Sequence, residues 1–191
     1  FLAAEAEARK AGLGVWSPGG EHYDDYPTRI AWWNARGDFI KAFEDEAEGK
    51  DNYIVLTHWD ALERIRELKG KEVVVLATVG GVRTGSKGPT KVMLSRRQNG
   101  DFPLIFFDKA VLERSKVGLA RGEFVRIRGK VNEYIRAGDK KGQLQIIVSK
   151  PEQVVLPANN PLVSARLAAL AASPEPPAAA EPAAPATGDM P

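Results

Sequence analysis

From Lys71 onward the apolar residues of this chain stop recurring at helical spacing and begin to alternate, and the alternating segments come in one particular order. "EVVVLATVGGV" (72–82) is a β-branched run interrupted by Gly80–Gly81. "TKVMLSRR" (90–97) sets Val92 and Leu94 against Lys91, Met93 and Ser95, and "FPLIFF" (102–107) forms a third strand. "DKAVLERSKVGL" (108–119) returns to helical composition, with Asp108 placed to cap it. "GEFVRIRGKVNEY" (122–134) alternates Val125, Ile127 and Val131 with Arg126, Arg128 and Lys130. "QLQIIVS" (143–149) is the fifth strand, and "EQVVL" (152–156) adds a short edge strand or extension. Turn residues separate these runs: "GSKGP" (85–89), the Asn-Gly of "QNGD" (98–101) and "AGDKKG" (137–142).

Three strands, a helix and two strands therefore occupy residues 71–156, with glycine inside the first and fourth strands. Glycine in a strand marks the bulge or sharp bend that closing a small barrel requires. This is the element order of the five-stranded OB-fold barrel, whose helix lies between strands three and four. A generic antiparallel α+β sheet uses the same elements without closing.

Charge is divided along the same boundary. Residues 71–150 carry 17 Lys/Arg against 7 Asp/Glu, a net charge of +10, whereas residues 1–70 carry 9 against 14 and residues 151–191 carry 1 against 4. A basic block of domain size between acidic flanks is the electrostatic footprint of a polyanion binder, although a soluble domain with many surface lysines has the same arithmetic. There is no cysteine, which excludes disulfides and thiolate metal sites. No apolar run approaches the roughly 18–20 residues of a membrane-spanning helix.

The remaining segments frame the basic block. Residues 1–11 are rich in the helix formers Ala, Glu, Arg and Lys; Gly12 stops the helix, and Leu13, Val15 and Trp16 follow as apolar anchors. Residues 17–27, "SPGGEHYDDYP", form an acidic, turn-rich linker. A helix is expected over 28–48, capped by Thr28, with Ile30, Trp33, Gly37, Ile40 and Phe43 on one face and Trp32 and Phe39 widening it. Two adjacent tryptophans do not share one narrow face, so at least one packs against another element. "YIVLTH" (53–58) reads as a short strand, and a helix from Trp59 to Lys69, with Thr57 and Asp60 in a capping pattern, ends at Gly70; together 28–70 form a helical connector. Residues 157–191 are Ala/Pro-rich, with a short helix expected over 162–172 and disorder beyond it.

No catalytic constellation stands out. His22 and His58 lie in different segments, and a zinc site would need the loosely specified carboxylates of "EHYDDY"; a linker and a packing or capping histidine are the simpler readings. "GVRTGSKGPT" has the Gly80-x4-Gly85 spacing of a phosphate loop, but Ser86–Lys87 replaces the required Lys-Ser/Thr and a strand follows instead of a helix. It reads better as the loop joining the first two barrel strands.

In OB-folds that loop and the one between strands four and five flank the binding face. Here they carry Arg83 and Lys87, and Arg136, Lys140 and Lys141. Single-strand binders pair a basic groove with aromatic rings on which bases stack. Lys91, Arg96, Arg97, Arg126, Arg128 and Lys130 are the groove candidates, and Phe102, Phe106 and above all Tyr134 the stacking candidates. Phe106 and Phe107 face opposite ways, so at least one of them belongs to the core.

The opening stretch adds a likeness. "EAEARKAGLGVW" resembles the closing helix of thermonuclease (staphylococcal nuclease-like) domains, an Ala/Glu/Lys-rich helix ended by Gly before an aliphatic residue and Trp. Residues 71–156 resemble the OB-fold domains that sometimes follow such nucleases. The resemblance implies a chain that begins at the cut edge of a nuclease domain, with the helix's apolar side, which includes Leu2, Leu13 and Trp16, expected to lack the surface it packs on in that domain. It also implies calcium-dependent phosphodiester cleavage in that upstream domain, and a secreted or periplasmic setting. The family's metal-binding carboxylates, general base and phosphate-gripping arginines have no counterparts here; Arg9 and Lys10 belong to the helix. The expectation is thus a non-catalytic, nucleic-acid-binding OB-fold portion, with neither metal nor cofactor of its own, that holds single-stranded or structured DNA or RNA for an upstream nuclease. The other class of reading is a protein-interaction or domain-stabilising module.

Overall fold

The computed structural model describes residues 1–20, 25–85, 88–94, 102–135, 138 and 142–172. The expected turn at 98–101, most of the one at 137–142 and the disorder expected beyond residue 172 lie outside them. The chain begins with helix α1 (Leu2–Ala11), ended by Gly12 in the left-handed conformation at φ 61°. Helix α2 (Tyr26–Ala47) starts before Thr28: Asp25 is its N-cap residue and Pro27 lies in the first turn, where its missing N–H costs nothing. Strand β1 (Tyr53–Val55) and helix α3 (Ala61–Glu67) complete the connector.

The rest is an OB-fold. Strand β2 (Glu72–Arg83) pairs with β3 (Thr90–Leu94), and β3 with β4 (Phe102–Phe106), both antiparallel. β4 runs parallel to β6 (Gln143–Ile147), β6 antiparallel to β5 (Phe124–Tyr134), and β5 antiparallel to β2, which closes the barrel. Helix α4 (Lys109–Ser115) fills the connection between β4 and β5, and Asp108 caps it by accepting the Ala110 N–H at 2.8 Å. β1 adds to β2 in parallel, β7 (Val154–Val155) adds to β5 antiparallel, and helix α5 (Pro161–Ala172) follows.

Alternation builds the interior. Val73, Val75, Ala77 and Val79 of β2 meet Val92 and Leu94, Phe102, Leu104 and Phe106, Val125, Ile127 and Val131, and Leu144 and Ile146 in one core. At about 1.5–3 kcal/mol for each large apolar side chain removed from water, this core dominates the stability of the barrel. Gly129 is required there: a Cβ at this position would stand 2.5 Å from Ile146 Cγ2.

The run "VVVLA" lacks clean alternation because β2 is covered on both faces. Val74 and Leu76 point outward and are buried with Phe43 and Tyr53, against Phe39, Ile40 and Phe124. Helix α2 therefore lies on the outside of the barrel. It turns Trp32 inward and leaves Trp33 60% exposed, which resolves the competition between the two rings.

Candidate nucleic-acid interface

The basic strand residues divide into two sets according to which part of the barrel surface they reach. Arg83 and Lys91 are cross-strand partners on β2 and β3. By simple alternation from Val79, Arg83 would face the core. The register of β2 against β3 slips by one residue between Val79 and Gly81, a bulge in the Gly80–Gly81 pair, and this turns Arg83 outward beside Lys91. Neither cation has an ion-pair or hydrogen-bond partner among the described residues. Like charges directly opposite one another on a sheet are destabilising, so this pair favours an anion between or above them.

Lys91 is in register with Ile105 of β4, and Ile105 with Ile147 of β6. The same outer face carries Met93 and Pro103, a cross-strand pair. Met93, Pro103 and Ile105 are buried although they point away from the core, so the middle of this face is closed and apolar. At its far end Tyr134 pairs with Gln143 and is 53% exposed. Four residues of β6 separate Gln143 from Ile147, so at 3.3 Å per residue the tyrosine and the cation pair lie about 13 Å apart along the strands.

Phe102 and Phe106 are not stacking residues. Both point inward and are 1% exposed, because β4 places its even-numbered side chains in the barrel. Phe107, the ring that follows the last strand residue, is the exposed one at 69%, and it lies at the Arg83–Lys91 end of β4.

Arg126, Arg128 and Lys130 point away from the core, but along the part of β5 that α2 approaches. Arg126 Nη1 donates to Glu46 Oε2 of α2, and Arg128 Nη2 stands 3.9 Å from Glu46 Oε1. Arg128 also lies 3.9 Å from Glu72, and Lys130 is the cross-strand partner of Glu72. The Tyr53 hydroxyl donates to Glu46 as well. That hydrogen bond is the main reason the Glu46 carboxyl is held below its ordinary value of 4.5, with Arg126 a further contributor, and the Tyr53 hydroxyl is raised by the same contact. Arg126 thus serves helix docking, and Arg128 and Lys130 lie beside carboxylates. Lys87, Arg96, Arg97, Arg136, Lys140 and Lys141 are outside the described residues.

One buried structural side chain gave no signal in the sequence. Glu123 is 2% exposed at the entrance to β5. Its carboxylate accepts from Trp32 Nε1 at 3.0 and 3.1 Å, from Arg36 Nη1 at 2.9 Å and from Asn160 Nδ2 at 2.9 Å. Arg36 lies over the rings of Trp32 and Phe124, and Asn160 Oδ1 accepts the N–H groups of Leu162 and Val163 at the start of α5. One carboxylate therefore joins α2, β5 and α5, and its charge is fully compensated. It precedes a strand by one residue and lies far in sequence from its three donors, so no local pattern marks it.

No protein-family model matches this chain, and no curated protein is similar to it at a significant level. Solved structures are. An OBody bound to hen egg-white lysozyme is 27% identical at a TM-score of 0.37, covering 52% of this chain and 91% of its own. The S. pombe Stn1-Ten1 complex is 11% identical at a TM-score of 0.34, covering 51% of this chain and 66% of the other. An aspartyl-tRNA synthetase assignment from Leishmania major is 13% identical at 0.37, covering 59% of this chain and only 25% of that one.

Proposed function

We propose that the barrel binds single-stranded DNA or RNA at the two ends of its outer β3–β4–β6–β5 face, on either side of the buried Met93, Pro103 and Ile105. Arg83 and Lys91 contact phosphates at one end, and Tyr134 stacks on a base at the other. The observation that carries this reading is the bulge-oriented Arg83–Lys91 couple, without a partner among the described residues, in the most basic segment of the chain. Phosphate oxygens relieve the repulsion within the couple, and binding releases the counterions condensed on the strand. A base stacked on an exposed aromatic ring adds about 1–3 kcal/mol without sequence preference.

The test is the salt dependence of oligonucleotide binding to the full chain and to the Arg83→Glu/Lys91→Glu double variant. Losing two phosphate contacts flattens the slope of log K against log salt by roughly 1.4, at about 0.7 per contact for a single strand. Affinity for oligonucleotide falls while the thermal melting curve is unchanged. A slope and affinity identical in both proteins overturns the proposal.

The second reading, an interaction or stabilising module, is favoured by the engagement of Arg126 with Glu46 and by the closed apolar middle of the outer face. On that reading the full chain binds no oligonucleotide at low salt. The wider proposal, that the barrel presents substrate to a calcium-dependent nuclease domain, rests on the resemblance of residues 5–16. Among the described residues no three His, Cys, Asp or Glu side chains converge on a metal-sized space.

A further inference from the structure

Where α2 meets the start of α5, Trp32, Trp33 and Leu162 line an open groove of about 330 Å3, with Asp25, Thr28 and Arg29 along its rim. The two indoles meet edge-on, 4.8 Å between centroids at 60°. Trp32 is fixed from below by Glu123, whereas Trp33 stands 60% exposed and its indole N–H has no acceptor among the described residues. Leu162 is 39% exposed beside it. Angled aromatic rings with an available indole donor are the chemistry that receives polyproline II segments. The proline rings pack on the indoles, and the unpaired backbone carbonyls accept the N–H.

The sequence supplies such a segment. Residues 173–191 contain Pro-x-x-Pro twice, at Pro174–Pro177 and at Pro182–Pro185, and no positive charge. We propose that the Trp33 groove receives this chain's own Pro182–Pro185 motif. Reach selects between the two motifs. Ten residues of α5 separate Leu162 from Ala172, so the helix carries the chain about 15 Å from the groove at 1.5 Å per residue. At no more than about 3.1 Å per residue, the two steps from Ala172 to Pro174 reach only about 6 Å and fall short, whereas the ten steps to Pro182 reach up to about 31 Å, enough to return. A connection of this length sets an effective concentration in the millimolar range, so even a weak site is filled.

The chain has no cysteine, so one cysteine introduced by Ala183→Cys takes a nitroxide label cleanly on the full protein. The indole N–H resonance of Trp33, assigned with Trp33→Ala, is expected to broaden strongly in the labelled protein and to recover when the label is reduced. The Trp59 indole is expected to keep its intensity. Adding Pro182→Ala and Pro185→Ala to the labelled chain removes the broadening, while Pro174→Ala and Pro177→Ala leave it. Absence of broadening overturns the proposal. So does broadening that appears undiminished when labelled chain is mixed with isotopically enriched, unlabelled chain, because the occupant is then a second copy.

Discussion

Arg83 and Arg126 are both arginines on barrel strands of the same basic block, yet they have opposite fates. Arg126 lies where α2 crosses the outside of the barrel and is held by Glu46. Arg83 is turned outward by a one-residue bulge, opposite a second cation and with no carboxylate partner among the described residues. The difference teaches that a basic strand face is a ligand site only where the fold supplies no anion of its own. Net charge identifies the domain; packing decides which cations remain available.

The comparison is broken most severely by removing what holds α2 in place. Glu123→Ala leaves Arg36, 15% exposed, without its carboxylate and removes the acceptor of Trp32 and Asn160, and the expected cost is about 3–5 kcal/mol. Chemical denaturation of the full chain measures it, and a loss below about 1 kcal/mol refutes the role of Glu123 as the joint between helices and barrel.

Next in size is the direct exchange of roles. Arg126→Glu sets a carboxylate against Glu46 and is expected to lower stability by about 1–3 kcal/mol, whereas Arg83→Glu stays within about 0.5 kcal/mol of the parent. Oligonucleotide affinity is expected to move with Arg83. Equal destabilisation by the two substitutions, read from paired denaturation curves, removes the distinction between the faces.

The smallest effect concerns pH. Glu46 has a carboxyl depressed in the folded state, so its contribution is complete above the ordinary value of 4.5 and is lost as pH falls through the lower folded value. Glu46→Gln is therefore expected to shallow the acid limb of the stability–pH curve. The change is less than about 1 kcal/mol, because the carboxylate is a third exposed and solvent screens it. An acid limb that superimposes on that of the parent shows that Glu46 contributes nothing through its charge.

Much of the barrel is legible in the amino-acid sequence. The five barrel strands, the helix between the third and fourth, the Asp108 cap and the Gly12 helix stop follow from local periodicity and turn chemistry, which act over a few residues. The parity of "FPLIFF" is not legible, because a run that is apolar throughout has no alternation to read; Phe102 and Phe106 go inward and Phe107 outward. The destination of Arg126 depends on Glu46, 80 residues away, and the role of Glu123 on Trp32, 91 residues away.

Sequence by itself determined the elements, their order and the concentration of positive charge in residues 71–150. Tertiary structure decided which face of β4 is core, which arginines are neutralised and where a buried carboxylate finds three donors. The physical reason is range. Propensity and periodicity are properties of neighbours along the chain, whereas desolvation and charge compensation depend on groups that only closing the barrel and docking α2 bring together.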